Sequence, residues 1–447
     1  MSLPEMEHAI REILRPMRLT RAALVRDIEL NSPIPRIPAV DVDGRRVGHA
    51  WLLIRVFSEP VGTLLLAVPD GGLSPEAVAD AIDATLGEVV RRRLATAGID
   101  GSGPLPLGGL SPRVVPPYLS ERVSVLADAP ELTVVVCTRE RPDLLARCLD
   151  GLLAQEYPRF RILVVDSEPS SSETEDVVRD AARAAESTGR ITVAYVREPH
   201  GGLSHARNRA VEAAPGAILA WIDDDAVPDA YWLAEIARSL MIHPDADVIT
   251  GVVVPSALDT EAQLWAERLS GRTFVPVRFG PATEHVRHPL EGVPPLGAGT
   301  NMVFRPGVLE RIGGWDVALG AGTPAGRSED MLAFLQVRLH GGTVAYEPSV
   351  VVRGELRRDL AGVRERMIGF GRGIGAAYTA LLMADPRLAM QLSRLIPRML
   401  RDLVVPTHMP DVLRDAYRIG LLAGPRAYLT GLRKERRRRL AERYLRQ

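Results

Sequence analysis

A chain of 447 residues is too long for one ordinary hydrophobic core and implies two or three domains. Its 46% hydrophobic and 25% charged residues are ordinary for a globular protein, and a formal net charge of −1 excludes a polycation that holds nucleic acid by bulk charge. Two cysteines, Cys137 and Cys148, exclude a disulfide framework and suit a reducing compartment, so a cytoplasmic setting is expected.

Residues 1–30 mix acids and bases and read as loosely helical, with no long apolar core and so no expected signal peptide. Strand-like runs over 48–57 and 61–68, joined by Ser58-Glu59-Pro60, are followed by Ser74 and a helical spacing of apolar residues to about 97. This predicts a small ββα module, and the Gly- and Pro-rich residues 101–117 read as a linker. From 131 the pattern changes to strand, helix, strand. Strands are expected over 132–137, 160–165, 191–196, 217–222 and 248–254, and helices over 142–153, 177–182, 203–214 and 228–242. That alternation argues for a mostly parallel, doubly wound sheet with helices on both faces. Residues 255–298 show no clear periodicity. A helix over 331–339 and a strand over 343–352 follow, and 357–447 read as helices broken by Pro386, Pro397, Pro406, Pro410 and Pro425. No apolar run reaches the roughly eighteen residues a membrane-spanning helix needs. The expected division is 1–118, 131–355 and 356–447.

The chemistry concentrates where strands end. The apolar run 217–222 stops at Asp223-Asp224-Asp225, which marks the carboxyl end of a strand, the edge where open α/β sheets bind ligands. Alternation puts Asp223 and Asp225 on one face and Asp224 on the other. Two carboxylates on one face are hard ligands for Mg²⁺ or Mn²⁺, which typically carries a phosphate. Thr138 and Arg139 follow the first central strand and Asp166 the second. Arg139 can pair with phosphate bidentately, and Asp166 can accept hydrogen bonds from base or ribose. In His200-Gly201-Gly202-Leu203-Ser204-His205-Ala206-Arg207 two glycines let backbone approach a ligand ahead of a helix, and Arg207 would face the pocket. Glu329-Asp330 opens a helix after a Gly-rich loop. The pair reads either as capping acids or as a general base.

In this order and at these separations, residues 131–355 resemble a family-2 glycosyltransferase of the GT-A fold. The resemblance rests on Val-Val-Val-Cys137-Thr138-Arg139-Glu140-Arg141-Pro142, Val164-Val165-Asp166-Ser167, Gly202-Leu203-Ser204-His205-Ala206-Arg207-Asn208, Ile222-Asp223-Asp224-Asp225 and Glu329-Asp330. It implies an inverting transfer from a nucleotide-diphosphate sugar. Thr138, Arg139 and Glu140 would line the nucleoside pocket, Asp166 would contact the base, and Arg207 the base or diphosphate. Asp223 and Asp225 would match the metal motif, with Asp224 in the donor pocket and Asp225 the more direct ligand. Asp330 would be the catalytic base and Glu329 its neighbour. Gly299 and Asn301 would shape the sugar pocket, and Trp315 would offer an aromatic platform to the acceptor or else belong to the core.

One stretch departs from the family. Where relatives often carry a histidine after the last strand, this chain has Val352-Arg353-Gly354, and the expectation is either that Arg353 binds diphosphate in its place or that the metal is held by fewer protein ligands. The acceptor is open among a small molecule, a glycan and a lipid-linked sugar. Gly369, Gly371, Gly373 and Gly375 predict close packing or a break in a helix. The basic run 433–440 reads as a solvated tail, or as a peripheral contact with anionic lipid together with the C-terminal helices. Rival readings are a nucleotidyltransferase, and a sugar-nucleotide-binding or scaffolding relative without turnover.

Overall fold

The structure, a computed structural model, describes residues 23–186, 189, 191–280, 297–390, 393 and 411–445. Most of the expected N-terminal helical stretch falls in 1–22, outside the described residues. From Ala23 the chain is strand, so the N-terminal module has one more strand than expected. Here β1 (Ala23–Glu29) lies parallel to β2 (His49–Val56), which pairs antiparallel with β3 (Glu59–Ala67). Helix α1 (Pro75–Thr96) follows, its first turn capped by Ser74, whose side chain accepts from the Ala77 N–H. Strand β2 is buried on both faces. Leu52 and Ile54 meet Val78, Ile82 and Val90 of α1. Trp51 and Leu53 meet Val252, Val254, Tyr346 and Val351 of the central domain.

The expected linker ends in a short helix, α2 (Pro117–Ala127). The central domain then runs β4 (Leu132–Thr138), α3 (Pro142–Leu153), β5 (Phe160–Ser167), α4 (Glu173–Glu186), β6 (Ile191–Glu198), α5 (Leu203–Ala213), β7 (Ile218–Asp223), β8 (Ala226–Pro228), α6 (Trp232–Ile242), β9 (Val248–Pro255), α7 (Glu261–Leu269), β10 (Val277–Phe279), β11 (Asn301–Phe304), α8 (Val308–Arg311), α9 (Glu329–Leu339) and β12 (Val344–Gly354). Among the described residues its sheet has nine strands, ordered β10-β12-β9-β11-β7-β4-β5-β6, with β8 on β12. The strands from β7 to β6 are mutually parallel, as are β12 and β9, whereas β8, β10 and β11 run antiparallel to their neighbours. Alternation along β4 feeds both layers. Val134 and Val136 pack with Leu149 of α3, Val178 of α4 and Ile236 of α6. Val135 packs on the other face with Ala206 of α5 and Phe334 of α9. The expected mixed α/β architecture, mostly parallel with helices on both faces, is therefore present.

Three expectations need correction. Residues 255–298 contain α7, whose Thr260 and Gln263 form a reciprocal capping box, and the short strand β10. Pro228 belongs to β8, and α6 begins only at Trp232. Pro425 does not break the last helix but lies inside α11 (Asp411–Leu445). Pro386 follows the end of α10 (Leu360–Ala384), and Pro397, Pro406 and Pro410 lie outside the described residues.

The glycines of α10 do pack closely. A Cβ at Gly371 would sit 2.0 Å from the Tyr417 carbonyl oxygen and one at Gly375 2.4 Å from that of Leu421, while one at Gly424 would sit 2.6 Å from Gly375. The two helices thus run parallel in backbone contact, and only glycine fits. The basic run 433–440 is the end of α11, not a free tail. Among the described residues α10 is the one helix long and apolar enough to cross a bilayer by length and composition, and 44% of that window is buried inside the molecule.

Candidate active site

Five chain segments meet at the carboxyl edge of the parallel strands. Strands β4 and β7 end at Thr138 and Asp223, and Asp166 is the last residue but one of β5. The register of β11 sets Asn301 opposite Ile222, which brings the preceding Thr300 beside Asp223. Its hydroxyl donates to Asp223 Oδ2 at 2.5 Å. The fifth segment is the first turn of α9, carrying Glu329 and Asp330.

Arg207 of α5 joins these parts from below. It is 2% exposed. Its guanidinium donates to Glu329 Oε1 at 2.8 Å and to the Gly299 carbonyl at 3.3 Å, and lies 3.8 Å from Asp223 Oδ1. It also sits 4.8 Å from the Trp315 ring centroid. Burial pushes the Glu329 carboxyl up, and Arg207 opposes that rise. Asp330 is more open, and backbone fixes both its oxygens: Gly299 N–H donates to Oδ2 at 2.7 Å and Met331 N–H to Oδ1 at 2.8 Å. A Cβ at Gly299 would come 2.9 Å from that Oδ2, so glycine is what lets the loop approach Asp330.

The three aspartates diverge as alternation predicted. Asp224 is buried, accepting from the Thr138 hydroxyl at 2.7 Å and from Arg141 at 3.2 Å. Burial raises its carboxyl to about 6. Asp223 and Asp225 keep side chains 36% and 42% exposed. Burial, and then the charge of Asp223, raise Asp225. Two neighbouring, half-open carboxylates form a donor set that fits a hard divalent cation.

Asp166 is fully buried. Its Oδ2 accepts from the Tyr195 hydroxyl at 3.0 Å, while Oδ1 has no protein partner. Burial raises its carboxyl too. The orphaned oxygen is an acceptor left for a ligand donor. Arg139 pairs with Glu168 at 2.5 Å, and Glu140 accepts from the N–H and hydroxyl of Ser170. The Gly-rich loop lies against the start of α5: Leu203 N–H donates to Ala321 O and the Ser204 hydroxyl to Leu319 O.

Several expected site residues are committed elsewhere. Asn301 is fully buried, donating to the Val252 and Val350 carbonyls and accepting from Trp232 Nε1, so its whole amide is used in joining strands. Trp315 is 3% exposed and packs edge-on against Trp221 and Phe304, so it is core and offers no face to an acceptor. Thr138 is buried and reaches the pocket only through Asp224. Arg207, held by Glu329 and Asp223, ties the site together. Arg353 pairs with Asp27 of β1 at 2.6 Å, which removes it from the diphosphate.

Sequence reasoning missed the cations that do face Asp225. Arg141 lies 3.6 Å from it. Arg366 of α10 feels its charge, with Arg327 and Arg357 nearby. Burial, then these arginines, push the Arg366 guanidinium down to about 10. A helix 25 residues long and far along the chain gave no local signal of this.

The chain is 28% identical over 194 residues to a glucosyl-dolichyl phosphate glucuronosyltransferase of Haloferax volcanii, covering 42% of this chain and 57% of that protein. It is 26% identical over 252 residues to the succinoglycan biosynthesis protein ExoM of Rhizobium meliloti, covering 55% and 74%. The match to the Haloferax protein thus spans little more than half of that relative. Among solved structures, the mannosyltransferase PcManGT of Pyrobaculum calidifontis, in complex with GDP-Man and Mn²⁺, aligns over 80% of this chain and 85% of its own at 19% identity and a TM-score of 0.41. Residues 129–369, more than half of the chain, match the family described as glycosyltransferase like family 2. The protein belongs to glycosyltransferase family 2.

Proposed function

We propose that the protein transfers a sugar from a nucleotide-diphosphate donor to an acceptor hydroxyl with inversion, using Asp330 as general base. The observation that carries this reading is the setting of Asp330. It is a carboxylate fixed by two backbone N–H groups, beside a buried Glu329–Arg207 pair and across from the Asp223–Asp225 edge. As the acceptor oxygen attacks the anomeric carbon, its proton passes to Asp330. The new carbon–oxygen bond forms on the face opposite the leaving diphosphate, which departs with the bonding pair. Asp225 and Asp223 would hold Mg²⁺ or Mn²⁺, whose chemistry is to offset charge on that diphosphate. With Arg353 occupied by Asp27, Arg141 and the cluster of Arg366, Arg327 and Arg357 are the cations available to the phosphates. The unpaired Asp166 oxygen supports a base or ribose donor there. The acceptor stays open among a small molecule, a glycan and a lipid-linked sugar, and the name of the Haloferax relative puts lipid-linked acceptors first in a screen.

The test is a donor screen with Mg²⁺ or Mn²⁺, read as donor hydrolysis and as ligand-induced thermal shift. Asp330→Asn should cut transfer by about 10²-fold or more while donor affinity stays within a few-fold. Absence of metal-dependent binding and turnover with every nucleotide sugar would overturn the reading.

A further inference from the structure

His200 and His205 flank the two glycines ahead of α5, and the proposed transfer uses neither. Among the described residues, one group of histidine and carboxylate side chains brings its ligand atoms within 4.8 Å of one another: Glu198, His200 and His205. The end of α11 closes over it. Glu442 Oε1 lies 3.0 Å from His200 Nε2, and Glu435 Oε2 lies 3.4 Å from His205 Nε2. On the other side, Glu198 Oε1 is 2.5 Å from His200 Nδ1.

The imidazole of His200 therefore has a carboxylate oxygen at each nitrogen. A neutral ring carries one N–H, so one of these contacts sets lone pair against lone pair unless a second proton or a metal lies there. Burial holds His205 toward its neutral, ligating form. The acids are themselves braced. Arg438 pairs with Glu435 at 2.7 Å and with Glu442 at 2.6 Å, and Arg439 with Glu435 at 2.6 Å. Three carboxylates against two arginines leave one acid in excess when both imidazoles are neutral. A carboxylate behind a ligating histidine is the usual outer-shell arrangement of a zinc site.

We infer that Glu198, His200 and His205, completed from α11 by Glu435 or Glu442, form a zinc-class metal site separate from the Asp223–Asp225 edge. Imidazole-rich sites select Zn²⁺ or Co²⁺, whereas Mg²⁺ and Mn²⁺ prefer all-oxygen sets. The site would fasten the last turns of α11 to the turn at Gly202, on which Gly322 of the Gly-rich loop rests: a Cβ at Gly322 would lie 3.2 Å from the Gly202 Cα.

The experiment uses the full chain, freed of metal with a chelator. Zn²⁺ uptake is measured by competition with a chromophoric chelator, and Co²⁺ uptake by its visible absorption. One equivalent should bind to the wild type and equally to Asp225→Asn, and Zn²⁺ should raise the melting midpoint of both. His205→Ala and the more exposed His200→Ala should each lose about tenfold or more in affinity. If His205→Ala fails to fold, His200→Ala decides. No uptake by the wild type overturns the assignment. So does uptake unchanged in the histidine variants, or uptake lost only in Asp225→Asn.

Discussion

Asp224 is held by Thr138 and Arg141 at the back of the acid edge. Its folded carboxyl, raised by burial to about 6, titrates above the ordinary 3.8. The native state therefore binds this proton more tightly than the unfolded chain does. The associated stability is fully present below about pH 4 and is lost as pH rises through about 6. In Asp224→Asn the group does not titrate. The stability difference between the two proteins should thus move in favour of the variant by on the order of 3 kcal/mol between about pH 4 and pH 7. Denaturant midpoints across that range check it, and a flat difference would mean that Asp224 stays charged throughout. If the proposed function holds, Arg366→Ala removes a cation that feels Asp225 and should raise the donor KM by about tenfold or more. At this scale the acids were legible because adjacent carboxylates repel one another, so an apolar strand that ends in three of them is costly unless a cation or a donor group meets them. The partners of Arg353, Asn301 and Trp315 were not, because a residue type at a motif position does not say whether a neighbouring element has already claimed it.

Two elements decide how the site is held. Strand β11 has four residues and runs antiparallel between β7 and β9. Its register aligns Thr300 with Asp223 and aims Gly299 at Asp330. So short a strand has no periodicity of its own, and only the long parallel strands could be read from apolar runs. The paired helices α10 and α11 make the second element, with glycines at the contact. Gly375→Ala would set a methyl 2.4 Å from the Leu421 carbonyl oxygen and force the helices apart. A loss of about 1–3 kcal/mol is expected, read from the denaturation midpoint. The alternating glycines announced close packing, but not which helix would supply the other side.

Across the whole molecule, the N-terminal module and the central domain form one body. Arg55 of β2 pairs with Asp27 at 2.9 Å and with Asp229, beside α6, at 2.5 Å. Trp51 Nε1 donates to Glu267 of α7 at 2.9 Å. Arg55 is 6% exposed, so Arg55→Ala leaves the mostly buried Asp229 without this cation while Asp27 keeps Arg353, and should cost about 3 kcal/mol, seen as a lower melting midpoint. The sequence gives no sign of this contact, because strand β2 shows an ordinary apolar run whether one of its faces is covered or two.

Ser328, which opens α9 in a left-handed conformation (φ 72°), rests against Gly373 of α10, where a Cβ would lie 2.4 Å from its hydroxyl oxygen. The family match ends at residue 369, just short of that glycine. The matched span thus takes in Glu329 and Asp330 but stops before the glycine on which the turn bearing them rests. Exchanging the residues beyond 369 for those of another protein would therefore keep Glu329 and Asp330 but change the surface on which their turn rests.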